Sequence, residues 1–274
     1  MKKNKSALLS VPYIIFMVVF TLIPLCVVAY YALTDPVTHQ FSLGNLAELS
    51  VYLPVLGQSV IYSLISALIC LILGYPVAYF IAHQGKVAQK ILYMLVMLPM
   101  CMSFLLRTLA WVGLLQDTGI INDFLDLIGI GRLQLIRTPG AVILGMVYNY
   151  LPYMILPLYA IIVKIDHRLV EAAEDLGCNG LQVFTKVILP LSVPGILSGI
   201  TMVFVPAVST FYISQKLGGI ETVMIGDVIE RQFKQGNNAN LGAALSLVLM
   251  ILVFVCTGIM NRFAGSDEEG GVIV

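Results

Sequence analysis

Charge is what this sequence has least of. Of its 274 residues, 11% are Asp, Glu, Lys or Arg and 59% are hydrophobic. A soluble domain carries roughly a quarter charged residues, and the mean hydropathy here is +0.95. Such a chain cannot cover its surface with water-compatible groups, so lipid must solvate much of it. Fifteen basic and fifteen acidic side chains cancel, which argues against the basic surplus of a nucleic-acid partner. The five cysteines, Cys26, Cys70, Cys101, Cys178 and Cys256, are odd in number and form no CxxC pair, and four lie in apolar runs. They read as small hydrophobes, not as a disulfide framework or metal centre. The three histidines, His39, His83 and His167, fall in predicted loops without ligand spacing, so no metal site is expected. No GxxxxGK[ST] stretch is present, so the chain is not itself an ATPase. No paired acids or Ser/His pair stand inside an apolar run, and no catalytic residue is expected.

What fills the chain instead is a series of apolar runs, at about 7–33, 60–82, 91–115, 141–163, 187–213 and 241–260. Each has roughly the 20 residues that cross a bilayer core. The first follows Lys2, Lys3 and Lys5 like a signal peptide, but it is too long and lacks a small-residue cleavage site. The expectation is an all-α integral membrane protein with six transmembrane helices. A single transmembrane domain would span 1–265, with a disordered acidic tail at 266–274. Pro12, Pro24, Pro76, Pro99, Pro152, Pro157, Pro190, Pro194 and Pro206 lie in or beside these runs. Membrane helices tolerate proline where neighbours re-satisfy the freed carbonyls, so bent or broken helices are expected.

Six spans put both termini on one side, and the basic residues say which. One set of connections holds Lys2, Lys3, Lys5, Lys86, Lys90, Lys164, Arg168, Lys186 and Arg262; the other holds Arg132, Arg137, Lys216, Arg231 and Lys234. The excess places both termini, and the segment 164–186, in the cytoplasm. The outer segments then hold eight acids, Asp35, Glu48, Asp117, Asp123, Asp126, Glu221, Asp227 and Glu230, against those five bases. A mildly acidic outer face would concentrate a cationic solute. Solvated loops are the better explanation of most of these charges.

The most informative stretch is 166–190, DHRLVEAAEDLGCNGLQVFTKVILP. Leu169, Ala172, Ala173 and Leu176 recur at helical spacing, with Arg168, Glu171, Glu174 and Asp175 largely opposite. Gly177 stands where a short helix would stop, and Asn179-Gly180 reads as a turn. A second apolar periodicity, Leu181, Phe184, Val187, runs into the next span. Glu171-Ala172-Ala173, then Gly177, then Val187-Ile188-Leu189-Pro190 closely resembles the EAA loop of ABC importer permeases, with Val187 where that family has Ile.

Other runs are similar to the spermidine/putrescine permeases of the PotB type. They include Gly74-Tyr75-Pro76-Val77-Ala78-Tyr79-Phe80, Leu106-Arg107-Thr108-Leu109-Ala110-Trp111, 151–159, Pro194-Gly195-Ile196, 205–214 and 225–244. Permeases for ferric iron, thiamine and other solutes share some of them. The resemblance implies the type I importer permease (MetI-like) fold and transport of spermidine or putrescine by alternating access. It implies a second, PotC-like permease, two PotA-like ATPase subunits that use ATP and Mg, and a PotD-like extracytoplasmic binding protein. The chain itself would bind no cofactor. Coupling to the ATPase would fall to Glu171, Ala172, Ala173, Asp175, Gly177, Leu189 and Pro190.

Arg107 is the one charge inside a predicted span, and an intramembrane charge is a functional-site hypothesis by default. As a cation it would repel a polyamine, so it is expected to pair with an acid, Asp117 or one from the companion permease, and to hold a gate. Trp111, Tyr148, Tyr150, Tyr153 and Tyr212 could line the path, since aromatic faces attract ammonium groups; a belt of interfacial aromatics explains them as well. Besides an ABC permease for another solute, an ion-coupled secondary transporter is the alternative from a different class. It would show inverted repeats and midplane charges, and no repeat is evident.

Overall fold

The computed structural model describes residues 12–13, 15–35, 40–42, 44–234 and 238–264. The acidic tail expected at 266–274, and His39, lie outside them. A π turn, Val18–Leu22, leads into α1 (Ile23–Ala32). α2 (Gly44–Glu48) and a 3-10 turn feed α3 (Leu53–Ala82). Then come α4 (Lys86–Met97), a 3-10 turn Leu98–Cys101, α5 (Phe104–Leu115) and α6 (Ile120–Leu127). α7 (Pro139–Ile162) precedes α8 (His167–Asp175), α9 (Gly180–Val183) and a π turn, Phe184–Ile188. α10 (Leu189–Val208), α11 (Tyr212–Leu217), α12 (Ile225–Lys234) and α13 (Ala239–Ala264) complete the described chain. Six of its helical stretches are long and apolar enough to cross a membrane: Ile15–Ala32, Leu49–Ala82, Phe104–Leu127, Pro139–Ile162, Gly180–Val208 and Ala239–Met260.

The third stretch corrects the expected span at 91–115. The helix stops at Met97, passes Pro99 in the 3-10 turn, and restarts at Phe104 after an extended Met102. Pro99 has no N–H to continue the ladder. α4 is amphipathic, and none of its residues is buried. At 1.5 Å per residue, α5 alone reaches only about 18 Å, short of the roughly 30 Å hydrocarbon core. The fifth expected span, 187–213, likewise ends at Val208, because Phe211 leaves the helical region before α11 begins.

Two prolines have the same local consequence. The residue before Pro24, Ile23, and the residue before Pro190, Leu189, each turn their N–H back five positions, to Val18 O and Phe184 O. The helix widens by one residue just ahead of each proline, which eases the ring's crowding of the preceding turn.

The chain divides into two compact units, Met1–Leu56 with Val228–Leu252 and Gly57–Asp227 with Val253–Val274. In the first, Thr34 O accepts from Asn45 Nδ2 at 2.9 Å and from Asn240 Nδ2 at 2.6 Å. These bonds tie the end of α1 to α2 and to the start of α13. Ala32, Ala243 and Ala244 are buried beside them.

In the second unit α7 and α10 pack along most of their length. Gly199 lets them approach. A Cβ there would lie 2.6 Å from Met154 Sδ and 3.3 Å from Met154 O, the small-residue contact by which membrane helices gain dispersion energy. The core around it is built from Ala67, Cys70, Val142, Met146, Met154, Leu158, Val203 and Ala207. Polar threads fix α3 at both ends. Gln58 Nε2 donates to Glu221 O at 2.7 Å and Ser59 Oγ accepts from Ile225 N at 2.8 Å. Near the other end, Tyr75 Oη lies 2.8 Å from Ser192 Oγ.

Candidate functional site

Two places in the second unit carry the residues singled out by sequence. The first is the segment 164–186. Asp166 begins α8, its carboxylate accepting from Arg168 N at 3.0 Å. The helix ends in a Schellman motif: Cys178 N donates to Ala173 O at 3.0 Å and Gly177 N to Glu174 O at 2.8 Å, with Gly177 at φ +83°. That backbone region favours glycine. Asn179 does more than turn the chain. It caps α9 in a reciprocal box with Gln182, each side chain taking the other's N–H at 2.9 Å.

The loop is therefore two short helices locked by three backbone devices and seated on the spans. Ala173 is buried with Val183 and Ile188, against Tyr79 of α3 and Phe184. Its neighbours Glu171, Ala172 and Asp175 face solvent, and so does Gly177. Leu189 is half-buried and Pro190 exposed where α10 starts. Leu176 and Leu181 stand 86% and 73% exposed among these acids. An apolar knob flanked by carboxylates is what a protein partner would cover. Beneath α8 lies a cavity of about 290 Å³ lined by His83, Ile162, Ile165, His167, Val170 and Ile188. The ends of α3 and α7 and the start of α8 converge there.

The second place is at the other end of α7. Trp111 of α5 and Tyr148 of α7 meet edge to face, with ring centroids 5.4 Å apart. Tyr212 of α11 lies 6.2 Å from Phe104, and Lys216 Nζ stands 5.8 Å above its ring. Asp117 is exposed in a polar cleft of about 520 Å³, with Gln116, Gln134, Arg137, Gln215 and Lys216. All five pathway candidates thus sit on α5, its C-terminal edge, α7 and α11, which pack together.

Arg107, the fifth, is only 7% exposed. It makes no ion pair with Asp117, contrary to the simplest expectation. Asp117 lies ten residues further on, about 15 Å along a helix. Arg107 Nε and Nη1 have no hydrogen-bond partner among the described residues. The Tyr150 hydroxyl lies within electrostatic reach of Arg107 and donates to Pro206 O at 3.3 Å. Asn149, whose Nδ2 donates to Gly145 O at 2.9 Å, is also buried in α7. Sequence reasoning passed over Asn149 and Arg137; the signal for Asn149 was an amide inside an apolar run, and for Arg137 there was none.

Residues 71–265 match the family model described as binding-protein-dependent transport system inner membrane component. The chain belongs to this family. The permease is 39% identical over 217 residues to the spermidine/putrescine transport system permease protein PotB of Escherichia coli K12, covering 78% of this chain and 79% of that protein. It is 38% identical over 226 residues to PotB of Haemophilus influenzae, covering 82% and 78%. With the inner membrane ABC transporter permease protein YdcU of E. coli it shares 30% over 255 residues, covering 85% and 80%.

Among solved structures, a chain of a bacterial ABC transporter that imports the acidic polysaccharide alginate superposes with a TM-score of 0.82 at 18% identity, covering 97% of the permease and 96% of that chain. The MetNI methionine ABC transporter, in inward-facing form, gives 0.60 at 16%, covering 80% and 97%. These likenesses establish the fold, as expected from the sequence: six membrane-crossing stretches in a type I importer permease arrangement. The permease is a multi-pass transport subunit of the inner membrane.

Proposed function

We propose that this permease is one membrane half of an ATP-driven importer for spermidine or putrescine. The observation that carries the substrate is the 39% identity, over 78% of the chain, to permeases named for those solutes. In this reading a PotC-like permease supplies the other half of the path, two PotA-like ATPases bind ATP and Mg, and a PotD-like protein delivers substrate from outside. Both termini and the segment 164–186 face the cytoplasm in this reading, which the basic-residue bias supports.

α8 is the coupling helix. Its exposed face, Glu171, Ala172, Asp175 and Leu176, enters the ATPase groove, and its buried face, Ala173, carries movement inward. Closure of the ATPase dimer by ATP displaces α8 together with Val183 and Ile188, and hence the π turn and α10. ATP shifts the equilibrium because it binds one state better than the other. Trp111, Tyr148 and Tyr212 offer aromatic faces to the ammonium groups. Arg107 acts as a gate between α5 and α7: held at the path, it opposes passage of a polycation until the helices move.

The test is uptake into proteoliposomes holding the permease, its companion and the ATPase, with binding protein and labelled spermidine outside and ATP inside. ATP-dependent uptake, competed by putrescine, is expected. ATP hydrolysis stimulated by the binding protein without spermidine uptake would transfer the reading to another solute, ferric iron or thiamine. Uptake indifferent to ATP would mean a secondary transporter.

A further inference from the structure

The 290 Å³ cavity beneath α8 is apolar where it is buried and polar only where it is exposed. Ile162 and Ile188 are its buried part, and Val163, His83 and His167 its exposed rim. Among the described residues no acid lines it. An apolar hollow with a few convergent polar groups is the usual form of a small-molecule site. The His83 ring is already oriented. Its Nδ1 lies 2.8 Å from Tyr79 O. A carbonyl only accepts, so Nδ1 carries a proton and Nε2 is the nitrogen left for a ligand. His167 is the first residue of α8, where N–H groups without helical partners favour an anion.

Charge along the chain points the same way. Lys86, Lys164, Arg168 and Lys186 lie within three residues of lining positions, against Asp166 and Glu171. Asp166 already accepts from Arg168 N at 3.0 Å. Depth narrows the ligand further. α3 has 30 residues and α7 has 24, rising about 45 Å and 36 Å against a hydrocarbon core of roughly 30 Å. Their ends, where the cavity opens, therefore stand at the level of the lipid headgroups. Val77 and Phe80, just before His83 on α3, are 39% and 59% exposed, and Val163 on the rim is 38% exposed. Bare apolar side chains at the end of a span meet acyl chains, so the lipid-facing surface runs on into the cavity.

We propose that this cavity seats the phosphate of an anionic phospholipid, with the protonated His83 and His167 rings donating to its oxygens. The inference rests on the importer reading above, which puts this end of α7 at the cytoplasmic leaflet. Basic pockets between spans on that side suit anionic headgroups, and the flanking bases disfavour a choline or ethanolamine cation beside them. The glycerol and first acyl carbons lie on the apolar part. Through its lining the lipid touches the ends of α3 and α7, α8 and Ile188 of the π turn, so it braces the seat of the coupling helix.

The assembled transporter in nanodiscs of phosphatidylcholine, alone or mixed with phosphatidylglycerol, provides the test. Melting temperature is measured there, and lipid retained after detergent exchange is counted by native mass spectrometry. Phosphatidylglycerol should raise the melting temperature of the native transporter and be retained. His83→Leu combined with His167→Leu keeps apolar bulk and removes both donors. Retained phosphatidylglycerol should fall about threefold or more, and the rise in melting temperature should vanish. Ile165→Trp puts a ring into the cavity and should displace the lipid to a similar extent. Native retention in both variants would overturn the proposal, because the lipid would then be held elsewhere on the basic surface. Equal stabilisation of the detergent-solubilised transporter by glycerol 3-phosphate would overturn the lipid and give the site to a soluble phosphate ester. A Gly85→Cys variant labelled by a membrane-impermeant maleimide only from outside would instead overturn the orientation in the importer reading. Failure of the double variant to assemble leaves the decision to Ile165→Trp and to His83→Leu alone.

Discussion

The Tyr75 hydroxyl meets the Ser192 hydroxyl at 2.8 Å, joining α3 to α10 across 117 residues of sequence. Ser192 spends its own proton on Leu189 O at 2.9 Å, so Tyr75 is the donor between them. The same ring stands edge-on to Phe184, 5.5 Å between centroids. Phe184 opens the π turn and Ser192 follows Pro190, so one tyrosine grips both sides of the widened turn that links the coupling helix to its span. Tyr75→Phe keeps the ring contact and removes the donor. It should cost about 1 kcal/mol and lower uptake per transporter while ATPase assembly persists. Native uptake by this variant would show that the bond is structural only.

Gly177 sets the exit of α8. Any residue with a Cβ pays roughly 1–2 kcal/mol to hold its left-handed backbone, so Gly177→Ala should loosen the Schellman turn and reduce uptake partially. Gly177→Asp adds charge to that strain, and Glu171→Arg reverses the exposed carboxylate. Both should abolish ATP-driven uptake while the protein remains in the membrane, measured by transport beside membrane abundance. Wild-type uptake in either would remove the coupling role from this loop.

Gly199 tests packing. Gly199→Leu drives a side chain into Met154 and should separate α7 from α10 at a cost of about 1–3 kcal/mol, read as a lower melting temperature in detergent. Gly199→Ala should lie between. A melting temperature unchanged by Leu would mean that the two helices do not bear on each other there.

Arg107 carries a buried charge with two nitrogens lacking partners among the described residues. Burying a charge without hydrogen-bond partners costs free energy, which a neutral side chain of similar length relieves. Arg107→Gln should therefore assemble at least as well as the native permease and lose control of passage, seen as altered uptake. Normal transport together with normal assembly would dispose of the gate.

Much of this was legible beforehand, for reasons that differ residue by residue. Hydropathy alone located the spans at 60–82, 141–163 and 241–260, because water-to-lipid transfer depends on composition summed over about twenty residues. The stop at Gly177 was legible because a left-handed exit narrows the choice of residue. The break at Pro99 was half-legible: the proline was visible, but Met97 to Phe104 is apolar except for Ser103, so hydropathy ran through it. Asn179 read as a turn because its partner, the Gln182 amide, reveals itself only once the chain has turned.

What the sequence determined by itself was the solvent, the number of crossings and the local stops of the chain. Each depends on residues close together along it. Only the tertiary structure decided which face of the EAA segment is buried, that Arg107 and Asp117 stay apart, and that Arg137 joins Lys216 in one cleft. Those outcomes depend on helices far apart in sequence packing at small residues and leaving particular polar atoms side by side, and no window along the chain contains both partners.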